Sequence, residues 1–121
     1  MKKVLGDYIS DLLNAINEIE EFIAGMDFQA FSTDKKTTNA VIRSLEVMGE
    51  AAKQTPSDMR KKYPKVPWKR IAGMRDKLIH QYWGVDLEIV WTVITEEIPP
   101  VKPLIENVFN DLENTAEGQK D

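Results

Sequence analysis

The sequence predicts an all-α protein, a single domain built as a four- to five-helix bundle, and three observations carry that expectation. Apolar residues recur at steps of three and four along almost the whole chain, the signature of helices with one buried face. No convincing strand pattern, internal repeat or low-complexity tract interrupts them. The 121 residues, 42% hydrophobic and 30% charged, suit one ordinary globular domain.

The first helix is expected over about residues 2–25, with Leu5, Tyr8, Ile9, Leu12, Ile16, Ile19, Phe22 and Ile23 on one stripe. Gly25 is placed to end it. Asp27 can cap a short turn that holds Phe28 and Phe31. Thr33 or Asp34 can cap a second long helix running to about Gln54, with Ala40, Val41, Leu45, Met48 and Ala52 on its apolar face. Pro56 breaks the pattern, and a short helix over 57–63 is expected with Ser57 as its cap. Pro64 ends it, and Pro67 fits the first turn of a third main helix over 67–82. Gly84 stops that helix and Asp86 can cap a fourth, which places Leu87, Val90, Trp91 and Ile94 together. Pro99, Pro100 and Pro103 cannot lie deep in a regular helix, so a bend is expected near 98 and a fifth helix from about 100 to 113. Residues 1–113 then form the domain and 114–121 a flexible tail. Trp68, Trp83 and Trp91 read as packing anchors with their N–H groups at the edge.

The same composition excludes several functions. The longest apolar runs are a few residues, too short to span a membrane. The opening Met-Lys-Lys-Val-Leu-Gly-Asp-Tyr lacks the apolar core of a signal peptide, so a cytoplasmic location is expected. With no cysteine and one histidine, disulfides and thiolate zinc sites are ruled out and a transition-metal site is not expected. The net charge of −4 argues against general nucleic-acid binding, but the charge is unevenly spread. Residues 60–77 hold eight cations against Asp76 alone, a local +7 that leaves −11 on the rest of the chain. Such a strip fits a phosphate backbone, and it equally fits a solvated lysine-rich loop.

The sole histidine, His80, lies in Arg75-Asp76-Lys77-Leu78-Ile79-His80-Gln81-Tyr82. It is the only side chain here whose unperturbed titration falls near neutral pH. On a helix, Arg75 and Tyr82 fall within about 20° of each other, while Asp76, His80 and Lys69 share a neighbouring stripe. Ile71, Met74 and Leu78 face the other way, toward a core. Arg75 and His80 themselves are about 140° apart. They meet at one phosphate only if Arg75 reaches round, the helix loosens near Gly84, or a second copy supplies one of them. Metal-free RNA cleavage needs a base for the 2′-OH, an acid for the leaving 5′-oxygen, and positive charge at the phosphorus. One histidine cannot be both at once, whereas two copies about a two-fold axis bring two.

In that scheme His80 is the general acid or base and Arg75 grips the scissile phosphate. Asp76 orients the imidazole, and Tyr82 holds a nucleotide or accepts a modification. Lys69, Arg70 and Lys77 are candidates to bind RNA. Each also has a structural reading: a helix-end His80 bonded to a carbonyl, a half-buried Tyr82, and an ion pair from Asp76 to Lys69 or Arg70. The stripe Arg43, Glu46 and Glu50 either lines a cleft or dimer seam, or pairs internally.

The segment Tyr63-Pro64-Lys65-Val66-Pro67-Trp68 and the run Ile71-Ala72-Gly73-Met74-Arg75-Asp76-Lys77-Leu78-Ile79-His80-Gln81-Tyr82-Trp83-Gly84-Val85-Asp86 resemble the HepT family. So do Ala40-Val41-Ile42-Arg43-Ser44-Leu45-Glu46-Val47-Met48-Gly49-Glu50-Ala51-Ala52 and the opening helix with Phe22-Ile23-Ala24-Gly25-Met26. The resemblance reaches about residue 110. It implies a HEPN-like homodimer and a metal-independent endoribonuclease whose composite site uses the motif R-x4-H-x-Y, met here by Arg75, His80 and Tyr82. It also implies a toxin of a type VII-like toxin–antitoxin pair. Its partner would be an MntA-type nucleotidyltransferase antitoxin that consumes ATP and transfers AMP to Tyr82, while cleavage itself would need no cofactor. The family often has asparagine after the arginine where this chain has Asp76, a carboxylate that would favour protonated His80. The alternative is a non-cutting helical partner whose use is to accept AMP.

Overall fold

The computed structural model describes residues 5–79 and 86–118. Among them every regular element is helical: α1 (Leu5–Phe22), α2 (Phe28–Thr33), α3 (Lys35–Gln54), α4 (Ser57–Lys62), α5 (Trp68–Ile79), α6 (Leu87–Thr92), a π-helical turn (Val93–Glu97) and α7 (Ile98–Gly118). The all-α expectation therefore holds. α3 lies between α1 and α5, α7 closes against α1, and α2 bridges α3 and α6.

The boundaries follow from local chemistry. α1 stops at Phe22, and Gly25 takes the left-handed conformation (φ +78°) that a side chain would resist. Asp27 Oδ1 accepts from the N–H of Ala30 at 2.8 Å and starts α2. Of the two candidates for the α3 cap, it is Asp34 that serves: its carboxylate accepts from the N–H of Thr37 at 3.1 Å and from the Thr37 hydroxyl at 2.9 Å. Asp86 Oδ1 accepts from the N–H groups of Glu88 (3.0 Å) and Ile89 (3.3 Å), so α6 begins as expected.

Two expectations need correction. Ser57 is the first residue of α4 rather than its cap; Pro56 occupies the cap position and no side chain bonds there. The last helix begins at Ile98, close to the expected boundary, but no non-helical residue intervenes there. The chain stays helical from Leu87 to Gly118, with Pro103 inside α7, five residues beyond the expected end at 113. Pro99 and Pro100 offer no N–H to the carbonyls of Thr95 and Glu96, so the α ladder must change there. The wider π turn is that change: the N–H of Ile98 donates to the carbonyl of Val93, five residues back. Pro99, Pro100 and Pro103 are all exposed, so the carbonyls they leave without a donor lie on the watered side of the helix.

The core is continuous. Ile9, Leu12 and Ile16 of α1, Val41, Leu45 and Met48 of α3, Ile71 of α5 and Ile105 of α7 are fully buried. Phe31 is also fully buried, its ring centre 5.1 Å from that of Trp91. Phe28 meets Trp91 edge-on at 6.3 Å. Trp91 is thus an anchor, as is Trp68, which is buried with its indole N–H donating to the Tyr63 carbonyl at 3.0 Å. Trp83 lies outside the described residues. Among the described residues no helix is long and apolar enough to cross a membrane.

Removing the Phe31 ring should lower stability by about 3–5 kcal/mol, because α2 contributes little else to the core. Urea unfolding of Phe31→Ala measures this, and a loss under about 1 kcal/mol would mean the α2–Trp91 contact is not a core contact. A second expectation concerns acid. The N–H and hydroxyl of Thr37 hold the Asp34 carboxyl below its ordinary value of 3.8. A depressed carboxyl favours the folded state above that value and loses its contribution as pH falls through the lower folded value. Asp34→Asn, which keeps a capping oxygen, should therefore flatten the fall in urea midpoint below pH 3.8.

Candidate active site

The helix that carries Arg75 is fixed at its start by the segment before it. Tyr63 precedes Pro64 and leaves the helical region (φ −123°, ψ 67°), which ends α4. Its hydroxyl donates to Asp111 Oδ2 on α7 at 2.9 Å, and its carbonyl accepts the Trp68 indole. Val66 is buried and accepts from the N–H of Trp68 at 2.9 Å. Pro67 accepts the first α bond, from the N–H of Ile71 at 3.0 Å. Burial and the Asp111 carboxylate push the Tyr63 phenol up from its ordinary value, so it stays a proton donor.

α5 then presents two faces. Ile71 and Met74 are buried, as expected of its core side. Lys69, Arg70, Gly73 and Asp76 are exposed. Arg75 and Lys77 lie on the same helix. His80 and Tyr82 lie outside the described residues, as does Gly84. Placement is therefore described for the Arg75 end of the motif, on the second half of α5, with Asp76 facing solvent.

The basic strip is divided by the fold. Arg60 is used internally: its Nε donates to the carbonyl of Thr55 at 3.0 Å, and its Nη2 to those of Ala52 (3.0 Å) and Lys53 (2.8 Å). It thereby closes the C-terminus of α3, whose last carbonyls have no helical donors. Arg70, an RNA-binding candidate, forms an ion pair with Glu97 of the π turn. Lys61, Lys62, Lys65 and Lys69 are exposed. The roles of Arg60 and Glu97 have no periodic signature. The one sequence hint was the Pro99-Pro100 pair, which forces the π turn that carries Glu97.

The stripe of Arg43, Glu46 and Glu50 lines an open groove of about 560 Å³ between α3 and α1, with Tyr8 and Asp11 on the opposite wall. Glu50 also accepts from the Gln54 amide at 3.2 Å. The stripe thus lines a groove, and the bond given within its helix runs from the Gln54 amide to Glu50.

Residues 12–108 match the family model described as ribonuclease HepT-like. The chain belongs to the HepT-like ribonuclease family. A probable ribonuclease HepT of Thermococcus cleftensis is 46% identical over 108 residues, 89% of this chain and 98% of that protein. A candidate RNase of Methanocaldococcus jannaschii is 45% identical over 117 residues, covering 97% of each chain. A candidate RNase of Caldanaerobacter subterraneus is 44% identical over 102 residues, 84% of this chain and 91% of the other. No solved structure gives a significant match. As a HepT-like chain it carries Arg75, His80 and Tyr82 inside the matched span.

The internal role of Arg60 has a direct consequence. Arg60→Ala leaves three carbonyls at the end of α3 without that donor and should cost about 2–3 kcal/mol. Thermal unfolding of that variant beside Lys61→Ala, which should be near neutral, checks the distinction.

Proposed function

We propose that this chain is a metal-independent endoribonuclease, the toxin of a type VII-like toxin–antitoxin pair, acting in the cytoplasm as a homodimer. The observation that carries the reading is the R-x4-H-x-Y pattern at Arg75, His80 and Tyr82 within the span matched by the HepT-like ribonuclease family. The names of its relatives support the same activity.

The reaction is a transesterification. The 2′-oxygen of the RNA attacks the adjacent phosphorus while a base takes its proton. The P–O5′ bond breaks, an acid protonates the departing oxygen, and a 2′,3′-cyclic phosphate and a 5′-hydroxyl remain. His80 of one copy serves as base and that of the other as acid. Arg75 binds the phosphate and offsets the charge that builds on its oxygens. Asp76, four residues before His80, keeps the imidazole oriented, and Lys69 and Lys77 draw in the backbone, with Arg70 held by Glu97. Neutralisation falls to an MntA-type nucleotidyltransferase. The Tyr82 oxygen attacks the α-phosphorus of ATP, pyrophosphate leaves, and the phenolic proton is lost. The added phosphate brings negative charge into a site that must attract phosphates.

Expression of wild type without a partner should arrest growth and cut RNA in the presence of EDTA. His80→Ala should reduce cleavage by about 10²–10⁴-fold. Intact RNA and normal growth with wild type would overturn the ribonuclease and leave the AMP-acceptor reading, which loss of label in Tyr82→Phe then tests.

A further inference from the structure

The seam between α7 and the segment leading into α5 holds two cavities, of about 240 and 260 Å³, that share Lys65 and Leu104 as walls. They therefore form one two-lobed groove. The upper lobe is walled by Lys62, Tyr63, Lys65 and Asn107, with no carboxylate in its lining. Its platform is held on several sides. The Tyr63 hydroxyl is bonded to Asp111, its carbonyl to Trp68 and its N–H to Met59. The Lys62 ammonium lies 5.7 Å from the centre of the Tyr63 ring. The lower lobe is floored by Ile71, Met74, Val101 and Leu104. Arg70 there forms an ion pair with Glu97, and Glu96 lines this lobe too.

We propose that this groove is an RNA subsite that holds a nucleotide flanking the bond to be cut, with its phosphate on Lys62 and Lys65 and its base over the Leu104 floor. The proposal rests on the ribonuclease reading above and adds to it a location and a polarity. The two lobes correspond to the two halves of a nucleotide. Two exposed ammonium groups attract a phosphate, and the apolar floor beside them accepts the face of an unstacked base. The Asn107 amide, which can both donate and accept, is placed to meet a base or ribose edge. An acidic peptide would find the cations but no use for the apolar lobe beside them. The groove is also walled by Arg70, Ile71 and Met74 of α5, the helix on which Arg75 lies.

The test uses the full chain carrying His80→Ala, so that RNA is bound but not cut, and a labelled single-stranded oligoribonucleotide followed by fluorescence anisotropy at several salt concentrations. Adding Lys62→Gln and Lys65→Gln should weaken binding about tenfold and flatten the slope of log affinity against log salt by about 0.7, the value for one phosphate contact on a single strand. Leu104→Asn should weaken binding with the slope unchanged. Lys35→Gln with Lys53→Gln, an equal charge loss on α3, should leave both nearly as they were, and circular dichroism confirms folding of each variant. Equal losses in the groove pair and the α3 pair would reduce the effect to overall charge and overturn the subsite. So would unchanged binding in either groove variant. Absence of binding by the His80→Ala parent would overturn the ribonuclease reading itself.

Discussion

Burial of one stripe of α3 is the constraint on which the other elements depend. Val41, Leu45, Met48 and Ala52 are each fully removed from water, and they meet α1 on one side and α5 on the other. That contact fixes the rotation of α5 about its own axis. With Ile71 and Met74 directed inward, Lys69, Arg70 and Asp76 can only face out. The outward face of α5 is thus set by residues on its other side. The end of α3 matters as much as its middle. Thr55, almost wholly buried, donates its hydroxyl to the Ala51 carbonyl at 2.9 Å, and Arg60 covers the carbonyls that follow. The corner from α3 through α4 is set there, and with it the point from which the 62–67 segment and α5 depart.

Much of this was legible in the sequence because it is local. Asp27, Asp34 and Asp86 are capping residues recognisable by type and position, and the stripes of α1 and α3 follow a period that needs no tertiary knowledge. Gly25 was recognisable for the same reason: only the left-handed conformation closes that turn cheaply. Three features were not legible. The continuity of the last helix past Pro99, Pro100 and Pro103 depends on where those rings point, and a sequence does not show which side faces water. The Tyr63–Asp111 bond joins residues 48 apart, and no spacing rule reaches so far. The basic strip looked like one surface because charge counting cannot separate a cation that covers helix carbonyls from one that faces solvent. Arg60 and Lys61 are neighbours in sequence with opposite employments.

Within the candidate site the division is similar. Arg75 and Asp76 were placed on a helix beside a buried face, and α5 bears that out through Ile79. The Arg43, Glu46 and Glu50 stripe was visible as a stripe. Its groove was not, because the opposite wall, Tyr8 and Asp11, comes from a helix more than thirty residues earlier.

The charge distribution carries the last step. A chain with a net charge of −4 is a poor general ligand for RNA, and its remainder beyond the basic strip holds −11. For an RNA-cutting enzyme this is a steering device. At physiological salt a surface charge acts over about 8 Å, so a strand feels the patch it faces rather than the net charge. On the proposed reading, the acidic remainder repels the backbone in most orientations, and the cations from Lys61 to Lys69 attract it in one. The fold narrows that orientation further. It withdraws Arg60 into the α3 end and pairs Arg70 with Glu97, while Lys61, Lys62, Lys65 and Lys69 stay exposed. A uniformly basic surface of the same size would bind more RNA and present less of it to the motif.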